Sequence, residues 1–580
     1  MSEPAPRRQW LIVAGILGVA FAFRLLFLRQ IGGHALYSTL TADPAVYQAQ
    51  ALDILRGKLT ADHAYFHSSP LYPYFVAAIV RLAGPGLQAV RNAQALVGCA
   101  TVFLVYELAR RTVGRIAAAV AGLLAALYVP LVFFEAEFLE ITLVMALTAG
   151  SLLMVMRATE PGRRGLQSAI SAGLLLGLAA LGKPNLLLFV PVAAAWVLLR
   201  SGSRQGERNQ SRRAGPARER AARAAALFMA AGVAILPATI HNYRSEGDII
   251  PVSSNGGINL YIGNHPGAPG TFTVPSDMRF DLRIASKAVA ENATGRTLSA
   301  GEVSDYWAER ALGFMRERPA MWLTQTVRKF RLFWNHYEIP NHYDLGFVAR
   351  DASALRFPVG TFAVVAPLGV VGLALAALRR RRVDVLILFG ITFMCSVLPF
   401  FITSRYRLPI VLALLPGAGF AVQEVWRMAR SASWKGLAAL GVAVAAVAVP
   451  VNIDTIEFGT AQMHNTLGAI YGGQGDLEAA AAEFEAALED DPGDLSARRN
   501  LGLAYLELGR HEDAAREFRA ALRRHPRYYE AEVELGMAYA GMGSFDMAIE
   551  TWSMLLAKGP PPRIASRARA LISRYSEEKR

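Results

Sequence analysis

Asp43 stands about fifteen residues beyond an apolar run that ends near Leu28, with Pro44 next and then Val46, Ala49, Leu52, Ile54 and Leu55 in an amphipathic pattern. A carboxylate in that setting has two uses. With proline in the position after it, Asp43 can cap a surface helix, worth about 1 kcal/mol. Held where lipid meets water, it can instead take a proton as a general base. Much later, Arg405 and Arg407 flank Tyr406 just ahead of Leu408 and Pro409. The planar guanidinium fork suits phosphate oxygens, although Arg and Tyr at a membrane edge also serve as snorkelling anchors. Glu135, Glu137 and Glu140 interrupt an otherwise apolar stretch. An uncompensated carboxylate in hydrocarbon costs several kcal/mol, so at least one of the three should face a cavity. Lys183, before Pro184, can pair with these acids or with an anion, or lie at the interface as a plain lysine. Arg24 reads as a snorkelling residue. His34, Asp62, His63 and His67 share a loop with Asp43, but their spacing fits no metal-ligand pattern, and no metal is assigned.

The elements that must position these groups lie in a membrane. The 580-residue chain is 53% hydrophobic with mean hydropathy +0.29, too long for one core and too apolar to be soluble throughout. A crossing helix needs roughly 20 apolar residues. Eleven candidates follow, near 10 to 28, 88 to 109, 116 to 134, 137 to 156, 166 to 182, 184 to 199, 224 to 241, 357 to 378, 383 to 402, 408 to 426 and 436 to 452. The stretch from Ile116 to Met156 is too long for one crossing and breaks at Pro130 and the glutamates. Segment 70 to 83 is short and reads as a surface helix.

With the N-terminus inside, the inner segments hold Arg7 and Arg8, Arg110 to Arg115, Arg157 to Arg164, the arginine-rich 200 to 223, Arg379 to Arg382, and Arg427 to Lys435. That obeys the positive-inside rule and puts Asp43, the glutamate turn, the loop 242 to 356 and the C-terminus outside. The net charge of +14 lies in these clusters rather than along a polar face, which excludes a nucleic-acid partner. Cys99 and Cys395 sit in apolar runs, so no disulfide framework is indicated. Beyond Ala461 the character changes. Gly468, Gly502 and Gly536 recur every 34 residues, as do Pro492 and Pro526, inside lines such as "NLGLAYLELGRHEDAAREFRAALRRHP". That period resembles the tetratricopeptide repeat, a stacked helix hairpin whose groove can dock a protein partner. The expected architecture is all-α: a polytopic helical bundle with outer-face loop helices over residues 1–455, then a repeat solenoid over 461–580.

"ADPAVYQAQALDILRGK", "HSSPLYPYFVA", "LYVPLVFFEAEFLE", "ALGKPNLLLFVP", "NLYIGNHPGAPGTF" and "SRYRLPIVLALLP" follow one another in that order. This order resembles the C-type membrane glycosyltransferases, the family of the dolichyl-phosphate-mannose protein mannosyltransferases and the bacterial lipid A aminoarabinose transferases. The resemblance implies transfer of a sugar, with inversion, from a polyprenyl-phosphate carrier to an acceptor hydroxyl of a protein, glycan or lipid on the outer face of a bacterial inner membrane. It implies Asp43 as the base, with Glu137 orienting the acceptor or sharing a divalent cation with it. Arg405, Arg407 and Lys183 would hold the donor phosphate. Glu135 is a candidate for contact with sugar or acceptor. So, from their residue types, are Tyr261, Asn264 and His265, with Asn259 in the same glycine-rich loop, although a turn-rich structural loop fits these residues equally well. The departure from the protein mannosyltransferases is that proline, not a second acid, follows the aspartate. A membrane scaffold that gathers partners through its repeats is the reading from another class.

Overall fold

In the computed structural model, residues 6–58, 69–200, 215–273, 282–454 and 459–578 are described. Among them the chain is helical, without strands; one isolated parallel bridge joins Thr271 to Ile402. It divides into two compact units, Met1–Ile31 with Leu40–Ile456, and Gly32–Thr39 with Glu457–Arg580.

The first unit is that of a multi-pass membrane protein. Apolar helices stand at all eleven expected places. Six are long enough to cross a membrane, or seven if the bent pair Arg115–Ala126 and Val129–Ala136 counts as one. Ile141–Arg157, Pro184–Leu199, Phe362–Leu378 and Asp384–Val397 are apolar but shorter, and so is Tyr72–Ala83. At about 1.5 Å per residue these fall short of the roughly 30 Å hydrocarbon core. The bent pair turns by 44° just ahead of Pro130. The following helix begins only at Ile141, so Glu137 lies in a turn outside both helices, with an extended backbone at ψ 148.

Buried ion pairs fasten this turn. Arg24, which sequence placed at a lipid edge, is buried, and its Nε and Nη2 donate to Glu135 at 2.6 and 2.9 Å. The fork leaves neither charge uncompensated, which is the condition for keeping both inside. Gln94, on the helix Leu87–Thr112, donates to the carbonyls of Glu135 and Glu137 at 2.6 and 2.7 Å. Arg91 of the same helix donates to the carbonyl of Ala136 at 3.2 Å.

The second unit is a stack of helix hairpins from Ala461–Gln474 to Phe545–Ala557, followed by Pro562–Glu578. Its recurring glycines mark close approach. A Cβ at Gly468, Gly502 or Gly536 would lie 2.7, 2.6 or 2.3 Å from the ring of Phe484, Phe518 or Trp552. Only a residue without a side chain fits there. Neighbouring repeats are also tied through side chains, with Asn500 donating to Asn465 at 3.0 Å and Arg499 to Glu534 at 2.8 Å.

Candidate active site

The helix that carries Asp43 runs Ala42–Leu55, and its N-cap is Thr41. Asp43 therefore does not cap it, contrary to the capping expectation. Val46, Leu52 and Leu55 are exposed while Pro44, Tyr47 and Ala51 are buried, which suits a helix lying along an apolar surface. Ala42 takes φ +51, a conformation non-glycine residues seldom adopt. Strain of that kind costs of order 1–3 kcal/mol and persists where the surroundings hold it.

Arg405 meets Asp43 from 362 positions along the chain. Its Nη1 and Nη2 donate to Asp43 Oδ2 at 3.2 and 3.3 Å. The guanidinium is 6% exposed and the carboxylate 41%, so the pair sits at a boundary with the acid toward solvent. Arg405 Nε is buried and has no partner. Four tethers hold the segment before it. The carbonyl of Pro399 accepts from Asn264 and from Lys329, the amide of Ile402 donates to Gly270 at 2.9 Å, and the amide of Ser404 to Ile339 at 3.0 Å.

Lys183 and the acids complete the cluster. Lys183 Nζ lies 3.2 Å from Glu140 Oε1 and 3.7 Å from the centroid of the Tyr406 ring. Burial and the Arg405 charge both pull its pKa down, while Glu140 holds it up. Tyr47 donates to Glu140 Oε2 at 3.1 Å. Glu137 is 2% exposed, and neither carboxylate oxygen has a partner. Burial, partly opposed by the Arg405 charge and reinforced by Glu140 and Asp43, lifts its pKa to about 8.

Two cavities meet here. One, of about 180 Å³, is lined by Tyr47, Glu140 and Lys183 among others. The other, of about 250 Å³, is lined by Asp43, Asn341 and His342. Arg405, Tyr406, Asn255, Asn259 and Phe401 belong to both walls.

Other sequence candidates lie elsewhere. Arg407 turns away from the cavities. It donates to the carbonyls of Phe333, Asn335 and Tyr337, lies 3.0 Å from Glu338, and stacks over Phe362 at 4.1 Å. Its donors are spent on the fold, which corrects its assignment to phosphate. Glu135 is occupied by Arg24. Asn264 is buried and spends its amide on the carbonyls of Leu260 and Pro399 while accepting from Lys329 at 3.0 Å. Tyr261 packs on Trp307 and His265, with centroids 4.8 and 5.3 Å apart. None of Glu135, Tyr261, Asn264 and His265 lines either cavity, and their contacts are structural. Asn259 does line both. Sequence reasoning passed over Tyr47, Asn255, Asn341 and His342; only the polar run "PNHYD" hinted at the last two. Among the described residues no three His, Cys, Asp or Glu side chains converge as metal ligands; Asp62, His63 and His67 lie outside them.

Residues 63–212 match the model of the dolichyl-phosphate-mannose-protein mannosyltransferases, and residues 465–529 and 503–561 match a tetratricopeptide repeat. The chain resembles the C-type glycosyltransferases and carries C-terminal tetratricopeptide repeats. The mannosyltransferase-like stretch contains Glu137, Glu140 and Lys183 but neither Asp43 nor Arg405. No curated relative matches the chain. Among solved structures, ArnT from Cupriavidus metallidurans bound to undecaprenyl phosphate aligns at TM-score 0.38 and 15% identity, over 96% of this chain and 82% of that one. The archaeal oligosaccharyltransferase AglB from Archaeoglobus fulgidus, in complex with an inhibitory peptide and a dolichol-phosphate, aligns at TM-score 0.41 and 11% identity, over 80% of this chain and 58% of that one.

Proposed function

We propose that the protein is an inverting membrane glycosyltransferase that moves a sugar from a polyprenyl-phosphate carrier to an acceptor hydroxyl, with Asp43 as general base. The acceptor oxygen gives its proton to Asp43 and bonds to the anomeric carbon. The bond from that carbon to the phosphate oxygen breaks, and its electron pair leaves on the polyprenyl phosphate. Arg405 and Lys183 meet the charge of that phosphate. Attack from the face opposite the leaving group inverts the configuration.

One observation carries the reading: Asp43 and Arg405 form an ion pair on the wall of a cavity that opens beside a second one holding Lys183. Both guanidinium contacts end on Oδ2 of the aspartate. The donor's phosphodiester monoanion, which becomes a dianion only as the polyprenyl phosphate leaves, offers Arg405 a second anionic partner, and its arrival frees the carboxylate to act as a base. The same phosphate, and more so the charge that develops on it as it leaves, favours the charged form of Lys183, which burial disfavours. The basic segments on the opposite side support a site on the outer, periplasmic face of a bacterial inner membrane. The repeats are proposed to dock a protein partner on that face.

Purified protein supplied with polyprenyl-phosphate-linked sugars tests this. Asp43→Asn should bind the donor yet lose transfer by about 10²–10⁴-fold, the usual worth of a positioned base. Full transfer by folded Asp43→Asn would overturn the assignment.

A further inference from the structure

The cavity beside Asp43 differs in kind from the one beside Lys183. Apart from Asp43 and Arg405 its polar wall is neutral, formed by the amides of Asn255, Asn259 and Asn341 and the imidazole of His342. The rings of Phe272, Phe401 and Tyr406 supply apolar faces. Amides and neutral imidazoles offer donors and acceptors without neutralising a charge, so they suit hydroxyl groups. At about 250 Å³ the space lies just below the usual range of ligand pockets and suits one ring rather than a length of peptide.

His342, like Arg405, has unspent hydrogen-bonding capacity in this wall. One ring nitrogen, Nε2, lies 2.9 Å from the Thr41 hydroxyl, two residues before Asp43. The other, Nδ1, is buried and has no partner. Burial takes its pKa down to about 4, with the Asp43 charge opposing and the Arg405 charge adding, so the ring is neutral at physiological pH. The Thr41 hydroxyl can donate to Nε2 or accept from it, and Nδ1 takes the role opposite to that of Nε2: a donor to a ligand when Thr41 donates, an acceptor when Thr41 accepts. The loop that bears His342 is fixed from beneath by Arg407 through the carbonyls of Asn335 and Tyr337.

We infer that this cavity is the acceptor subsite, that its occupant is an uncharged sugar ring presenting a hydroxyl to Asp43, and that His342 makes a direct hydrogen bond to that ring. The inference rests on the glycosyltransferase reading and narrows its acceptor to carbohydrate. A sugar ring alone among the acceptor classes matches both halves of the wall, its adjacent hydroxyls meeting the amides and its CH face the aromatic rings.

The test is a steady-state assay of the full-length protein with a panel of polyprenyl-phosphate hexoses and pentoses as donors. Methyl glycosides and short serine- and threonine-containing peptides serve as rival acceptors. Methyl glycosides should be glycosylated in preference to peptides. His342→Ala should raise the KM for the glycoside about tenfold or more while changing the donor KM less than twofold, and His342→Gln should recover part of the loss. Asn341→Leu, which leaves His342 in place, should raise the glycoside KM in the same sense. Preference for peptides, or a His342→Gln effect confined to donor KM, would overturn the inference and leave the enzyme reading standing. No turnover of any donor by the wild-type protein would overturn both.

Discussion

The scaffold below the cavities and the cavity wall itself both bury charge, and they handle it in opposite ways. In the scaffold, Arg24 forks onto Glu135, and Arg407 divides its donors among three backbone carbonyls and Glu338. At the wall, Arg405 has a free Nε and His342 a free Nδ1, and Glu137, which lines neither cavity but feels the charges of Arg405, Glu140 and Asp43, has two oxygens without partners. A buried polar atom left unpaired costs on the order of 1–3 kcal/mol. Concentrating such atoms beside a hollow trades stability for capacity to bind, whereas the scaffold pairs use that capacity to hold the chain. Arg405 and Arg407, two residues apart, fall on opposite sides of this division.

The largest effect should come from breaking the scaffold. Arg24→Ala leaves the Glu135 carboxylate buried without its partner and should cost about 3–5 kcal/mol, read as a loss of thermal stability or of folded yield. Replacing both Arg24 and Glu135 with leucine should recover most of it, since hydrophobic residues substitute well for a purely structural pair. Failure of the double variant to recover would mean that the pair does more than hold the fold.

A smaller effect sharpens the other side. Glu137 keeps its proton up to about pH 8 when folded, against about 4.5 for an ordinary glutamate. Between those values the unfolded chain binds fewer protons than the folded one, so stability falls as pH rises through that window. Glu137→Gln removes the fall. The variant should match the wild type in Tm near pH 5 and exceed it by several degrees at pH 8, and a gap that does not grow with pH would contradict the assignment.

How much of this was legible beforehand depended on whether a physical rule linked residue to place. The repeats were readable because their glycines must recur wherever an aromatic ring presses on a helix, as at Gly502 and Phe518. Asp43 and Arg405 were readable as a pair because each is an odd residue for its place, an acid at a lipid edge and a cation against the charge rule. Arg407 shared that oddity, but whether a side chain enters a cavity or the core is fixed by direction within one helical turn, which spacing does not encode. Arg24 was misread for a related reason, since its partner lies 111 positions away. His342 and Asn341 lie in an aperiodic loop, where pattern has nothing to measure.

The division between the two arginines is tested most directly by the affinity of the protein for polyprenyl phosphate, measured on folded wild type, Arg405→Ala and Arg407→Lys. Arg405→Ala should weaken binding about tenfold or more, the loss of a charge-assisted contact worth roughly 1.5–3 kcal/mol, while Arg407→Lys leaves it unchanged. Undiminished binding in Arg405→Ala, or equal loss in both variants, would contradict the account.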